Sequence, residues 1–169
     1  MHDGGQAPQA AQGPTGFLRR VIEGWALLGG LLLLAIALMV SYSAAASWLF
    51  GKPLPGDVEL VEMLTAISVF MFLPYCQLAG ANVTADIFTA HAGKRTVAVL
   101  ELVAALVALG FSLLLLWRMY EGFVDYRKYV ETTTILKIPI WVAYPWALAS
   151  LALLAVAAVV SVRKAVRGL

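Results

Sequence analysis

Polar positions along this chain are confined to short intervals, and between them run four apolar stretches: Val21–Trp48, Leu60–Ala81, Val97–Trp117 and Pro139–Val162. Each is about as long as the roughly 20 residues a helix needs to cross a ~30 Å hydrocarbon layer. The pattern predicts an all-α membrane protein with four transmembrane helices. The spans hold almost no ionisable side chains, and that is equally informative. Proton relays, ion paths and substrate sites need polar groups at membrane depth. The chain is therefore expected to work through what it binds.

Residues 1–16, MHDGGQAPQAAQGPTG, are rich in Gly, Ala, Gln and Pro and are expected to be a disordered tail ahead of a four-helix unit at 17–169. Arg19 and Arg20 precede the first span, and Ala44-Ala45-Ala46 mimics a small-residue cleavage site. The apolar run exceeds the roughly 7–15 residues of a secretory signal core, so retention as a first helix is expected.

Tryptophan and basic residues mark the ends of the spans. Trp25 lies near the start of the first span, Trp48 ends it, Trp117 ends the third, and Trp141 and Trp146 open the fourth. Indoles favour the headgroup level, and this placement puts Trp25 on one side of the membrane and the other four on the opposite side. With the N-terminus inside, Arg19, Arg20, Lys94, Arg95, Arg163, Lys164 and Arg167 are cytoplasmic, against Lys52, Arg118, Arg127, Lys128 and Lys137 outside. The excess of Lys and Arg predicts that both termini are cytoplasmic.

Composition narrows the function classes. Hydrophobic content of 62% with 13% charged residues fits no soluble domain. A net charge of +2, with its basic residues at helix ends rather than in a patch, gives no sign of nucleic-acid binding. The single cysteine, Cys76, permits no intrachain disulfide and reads as a small buried apolar residue. His2 and His91 both lie outside the spans, so no histidine pair is available for axial haem ligation. Neither a Walker-type loop, nor a metal-spaced Cys/His set, nor a nucleophile–base pair is present, so the chain is not expected to be an enzyme.

Small residues recur where helices could approach closely: Gly29 and Gly30 in the first span, Ala104, Ala108 and Ser112 in the third, Ala143 and Ala147 in the fourth. Alanine is also simply common in membrane helices, and that reading carries similar weight. Pro74 removes a hydrogen bond to Phe70 and predicts a kink in the second span. Gln77 is placed to help satisfy the freed backbone. Packing is the more frequent role of such a kink, a gate the rarer one.

Glu59 and Glu62 share one face at the start of the second span, after Pro53, Pro55 and Gly56. A favourable interaction with the helix dipole suffices to explain them. Equally, one could reach a basic group on a partner, because a carboxylate inside the membrane is costly unless paired. Glu101 is expected to snorkel towards Lys94 and Arg95. Beyond the third span, Arg118/Glu121, Asp125/Lys128 and Arg127/Glu131 are opposite charges at i,i+3 or i,i+4, which predicts that helix three continues past the membrane into the periplasm. That extension could be a solvated return, lie on the membrane, or present Tyr120, Phe123, Tyr126 and Tyr129 to another protein.

The run Leu49-Phe50-Gly51-Lys52-Pro53-Leu54-Pro55-Gly56-Asp57-Val58-Glu59-Leu60, then Phe70–Pro74, Asp86-Ile87-Phe88 and Ile138-Pro139-Ile140-Trp141 through Tyr144, resembles the small membrane subunit of tripartite ATP-independent periplasmic (TRAP) transporters, the DctQ-like family. The likeness covers roughly residues 20–162 and rests on the order and spacing of these motifs. In that family Glu59 matches the acidic position opening helix two, Asp86 the acid following that helix, and Pro139 the proline opening helix four. Many members carry a basic-Gly-His stretch before Asp86, where this chain has Gly80-Ala81-Asn82.

What the resemblance implies is a scaffold subunit in the bacterial inner membrane. It would bind a large multi-spanning transporter subunit and help dock a periplasmic substrate-binding protein, supporting sodium-coupled uptake of an organic acid. No cofactor is expected in this chain, sodium belonging to the large partner. The partner-interface candidates are Glu59, Glu62, Asp86, Pro139, Arg118, Asp125 and Arg127, with a rim formed by residues 49–57 and 118–137. The competing classes are a self-sufficient small homo-oligomeric transporter or channel, which needs polar residues along one helix face at the midplane, and a membrane anchor for a redox enzyme, which the missing histidines disfavour.

Overall fold

The computed structural model describes residues 14–79 and 94–167. Four helices long and apolar enough to cross a membrane account for most of them. Helix α1 is Pro14–Phe50, α2 is Asp57–Leu78, α3 is Lys94–Tyr129, and α4 is Tyr144–Arg167, preceded by a single 3₁₀ turn at Ile140–Ala143. The expected all-α architecture is present, and no strand occurs among the described residues. Residues 1–13, and the second loop with Asp86, Asn82 and His91, lie outside the described residues.

Chain punctuation explains where the helices stop. At the end of α1, Gly51 adopts a left-handed φ of 67° and donates its N–H to Ser47 O at 2.9 Å, a glycine C-terminal cap. Pro53 and Pro55 then prevent helix from continuing, and α2 restarts after Gly56. Helix α3 runs unbroken through the predicted extension and ends where Val130 turns left-handed. At 1.5 Å per residue its 36 residues span about 54 Å, well beyond the hydrocarbon thickness. Of the three ion pairs expected along that extension, Arg118–Glu121 forms at 3.3 Å. Asp125–Lys128 and Arg127–Glu131 do not form among the described residues. Arg127 and Lys128 lie over aromatic rings instead.

Helices α2 and α4 form the centre, with α1 packed mainly on α2 and α3 on α4. Close approach of α1 to α2 needs Gly29, where an added Cβ would lie 3.0 Å from Met71 Cβ and 3.4 Å from the Ser68 carbonyl oxygen. On α4 the inward face is Ala147, Ser150, Leu151, Leu154, Ala157, Ala158 and Ala165, and on α3 it is Ala105 and Ser112. The small-residue expectation therefore holds for Gly29, Ala147 and Ser112, while Ala105 rather than Ala104 takes the buried place on α3. Buried hydroxyls are satisfied locally: Ser68 donates to Leu64 O, Ser112 to Leu109 O, and Ser150 to Trp146 O.

One sequence expectation is corrected. Trp25 and Trp146 were placed at opposite membrane faces, yet their rings stack 6.0 Å apart. The Trp25 indole N–H donates to Ser150 Oγ at 2.9 Å, bracing α1 against α4 across α2. A half-buried indole favours an acceptor, and a serine on α4 supplies one here in place of the headgroup region.

One end of the bundle gathers the ends of α1 and α3 and the starts of α2 and α4. It is closed by two connections, residues 51–56 and 130–139. Along the spans only 11–28% of each most apolar window is buried inside the chain, which leaves most of that surface to face lipid or another protein.

Candidate partner interface

Serine and aspartate fix the first connection. Ser43, near the end of α1, donates to Asp57 Oδ2 at 2.5 Å and accepts the Leu54 N–H at 3.1 Å. Asp57 Oδ1 also accepts the Val58 N–H at 2.8 Å. One hydroxyl and one carboxylate thereby tie α1, the turn and the first residue of α2 together.

Glu59 fixes the second connection. Its Oε1 accepts the Ile135 N–H at 2.7 Å and its Oε2 the Leu136 N–H at 3.0 Å. Bonds from backbone amides to an ionised acceptor are among the stronger ones in proteins. Within the loop, Thr133 N donates to Ile138 O at 2.9 Å, Ile138 N to Thr133 Oγ1 at 3.1 Å, and Ile140 N to Glu131 O at 3.0 Å. Thr132 and Pro139 form an isolated antiparallel bridge, and Lys137 turns left-handed with φ 56°. Beneath the turn, the Leu136 side chain rests on Gly56, where φ is 77° and a Cβ would overlap the leucine. The two connections become one platform seated on the start of α2.

An aromatic and cationic cluster flanks the platform. Tyr144 packs against Tyr126 and Phe123 with ring centroids 5.3 and 6.3 Å away. The Arg127 guanidinium lies over Phe123 at 5.8 Å and Trp141 at 6.0 Å. These contacts hold the extension of α3 against the start of α4 and keep an arginine in place through ring faces rather than a carboxylate.

Below the platform a cleft of about 470 Å³ opens between α2 and α3 over the start of α4. Glu59, Glu62 and Thr132–Thr134 line its polar part, while Met63, Ala66, Phe70, Met119, Ala143 and Ala147 line the apolar part. Glu62, one turn along α2 from Glu59, is exposed and has no hydrogen-bond or ion-pair partner among the described residues.

The structure thus brings Glu59, Glu62 and Pro139 to one place and sets Arg127 beside it. Arg118 and Asp125 are exposed earlier on α3, and Asp86 lies outside the described residues. The predicted rim of residues 49–57 and 118–137 is a contiguous surface, joined at Gly56–Leu136 and Glu59–Ile135. Sequence reasoning missed Ser43, Leu136 and the Trp25–Ser150 brace. Ser43, one of three serines in the last turns of α1, carried no signal that set it apart from Ser41 and Ser47.

Compared with protein-family models, residues 36–168 match the model described as "Tripartite ATP-independent periplasmic transporters, DctQ component". The chain belongs to the DctQ family. A match over most of its length makes it the small membrane subunit of a TRAP transporter, a multi-pass inner-membrane protein and a transporter component rather than an enzyme. No match was found among curated proteins or among solved structures. The platform and cleft described above are therefore features of a DctQ subunit, which by its family works alongside a large membrane subunit and a periplasmic binding protein.

Proposed function

We propose that this DctQ subunit is the scaffold of a sodium-coupled importer of organic acids. It holds the large subunit in the membrane and offers the loop-bearing platform to the periplasmic binding protein. In this reading both termini are cytoplasmic, the platform faces the periplasm, and the sodium and substrate sites lie in the large subunit. The chemistry that would capture a carboxylate belongs to the soluble partner.

The supporting observation is the pairing of a largely uncovered apolar surface with an interior that, among the described residues, offers no polar route. Among the described residues the buried polar side chains are Ser43, Ser68, Ser112 and Ser150, and each is already hydrogen-bonded. A bundle of this kind has surface for association and little to move an ion or acid through. A fixed bundle would also give the moving elements of the large subunit something to move against.

Uptake assays decide the matter. Removing this chain while retaining the other two components should abolish sodium-driven uptake of the organic acid, and unchanged uptake would refute the scaffold reading. The chain reconstituted alone in liposomes should show no solute flux. Flux would instead establish a self-sufficient homo-oligomeric transporter.

A further inference from the structure

We infer that the cleft between α2 and α3 receives one face of a helix from the large membrane subunit, and that a lysine or arginine on that helix pairs with Glu62. This rests on the scaffold reading above and assigns its contact surface.

Glu62 carries the inference. It lies in the second turn of α2, one turn beyond Glu59, exposed at the cleft, with no partner among the described residues. A carboxylate at membrane depth is costly unless paired. Its neighbours in the cleft deepen the demand. Glu59, three residues earlier, is a second carboxylate whose two oxygens are already taken by the Ile135 and Leu136 amides, and the remaining polar groups are the threonines at 132–134. Like charges at this helical spacing repel, so the site is complementary to a cation.

Three of the chain's own cations at this end have other partners. Arg118 pairs with Glu121, Arg127 lies over Phe123 and Trp141, and Lys128 over Tyr129. Lys52 and Lys137 are exposed on the connections and make no ion pair among the described residues. Beneath the carboxylates, Ala66 and Ala143 present small side chains against which a helix backbone can lie closely, the means by which helices associate in lipid. Met63 and Met119 supply adaptable flanks.

The test co-expresses this chain with the large subunit of the same transporter and captures the complex from detergent through a tag on this chain. Glu62→Lys should lower the recovered large subunit about tenfold or more, since reversal leaves two like charges facing one another. Glu62→Gln should lower it less, and Ala143→Leu should lower it by filling the cleft. A Lys→Glu or Arg→Glu substitution in the large subunit should restore recovery with Glu62→Lys. Each variant is also run alone by size exclusion. If Glu62→Lys aggregates, the exposed and nearly isosteric Glu62→Gln decides.

Full recovery with Glu62→Gln and Ala143→Leu, both eluting as the unaltered chain does, would overturn the cleft assignment and leave the scaffold reading standing. Failure of the unaltered chain to retain any large subunit would overturn both. If native mass spectrometry shows a bound phospholipid lost from Glu62→Lys while the large subunit is retained, the occupant is a lipid and the inference fails.

Discussion

Two glutamates one helical turn apart illustrate how differently the same residue type is used here. Glu59 is spent inside the chain, on two backbone amides of the 130–139 connection. Glu62 has no partner among the described residues and stands at the cleft. Replacing Glu59 by Gln should release the turn, and hydrogen exchange at Ile135 and Leu136 should quicken while exchange in the buried part of α4 stays as it was. Position alone made Glu59 conspicuous in the sequence, but its partners were invisible there. Backbone amides more than seventy residues away carry no residue-type signature, so a dipole role or a contact with another protein were the readings on offer. Gly56 is the complementary case. Its left-handed φ and the overlying Leu136 both exclude a side chain. Gly56→Ala should destabilise the chain by about 1–3 kcal/mol, read as a lower thermal midpoint in detergent. Adding Leu136→Ala should return only the steric part, because the backbone strain remains.

At the scale of elements, hydropathy located all four helices, and the charge pattern beyond the third span anticipated that α3 runs on to Tyr129. The depth of individual side chains was less legible. Trp25 obeyed the pull of a hydrogen-bond acceptor on α4 rather than the usual preference of indole for headgroups. Trp25→Phe should keep the stacking with Trp146 but lose the bond to Ser150, costing about 0.5–1 kcal/mol by thermal unfolding, and Ser150→Ala should cost a similar amount. Pairwise packing was legible only where a small residue was obligatory. Gly29→Leu should push α1 from α2 and destabilise by about 1–3 kcal/mol. Gly30→Ala should be tolerated, since the nearest atom to its Cβ, on Phe72, is 4.0 Å away.

For the whole molecule, sequence specified the number of crossings but not which helices are neighbours. In a soluble bundle the apolar stripe points to the core. Here it does not discriminate, because lipid accepts leucine as readily as the interior does. Leu151 is fully buried while Leu27 is 74% exposed, and nothing in their residue type separates them. Adjacency is marked instead at Gly29, Trp25, Glu59 and Gly56, each of which meets a distant segment of the chain. A bundle so sparsely covered should gain from company. Bound to the large subunit, the chain should unfold several degrees higher than alone at the same detergent concentration, as expected when a ligand binds only the folded form.

The alternation of helix directions has a further electrical effect. Helices α1 and α3 end where α2 and α4 begin, so two macrodipoles point one way across the membrane and two the other, and they largely cancel. With little net dipole and few charges at depth, the resting voltage exerts almost no force on this bundle. Any charge displaced during import must be carried by a neighbour, and the subunit by itself would register no transient current on a voltage step.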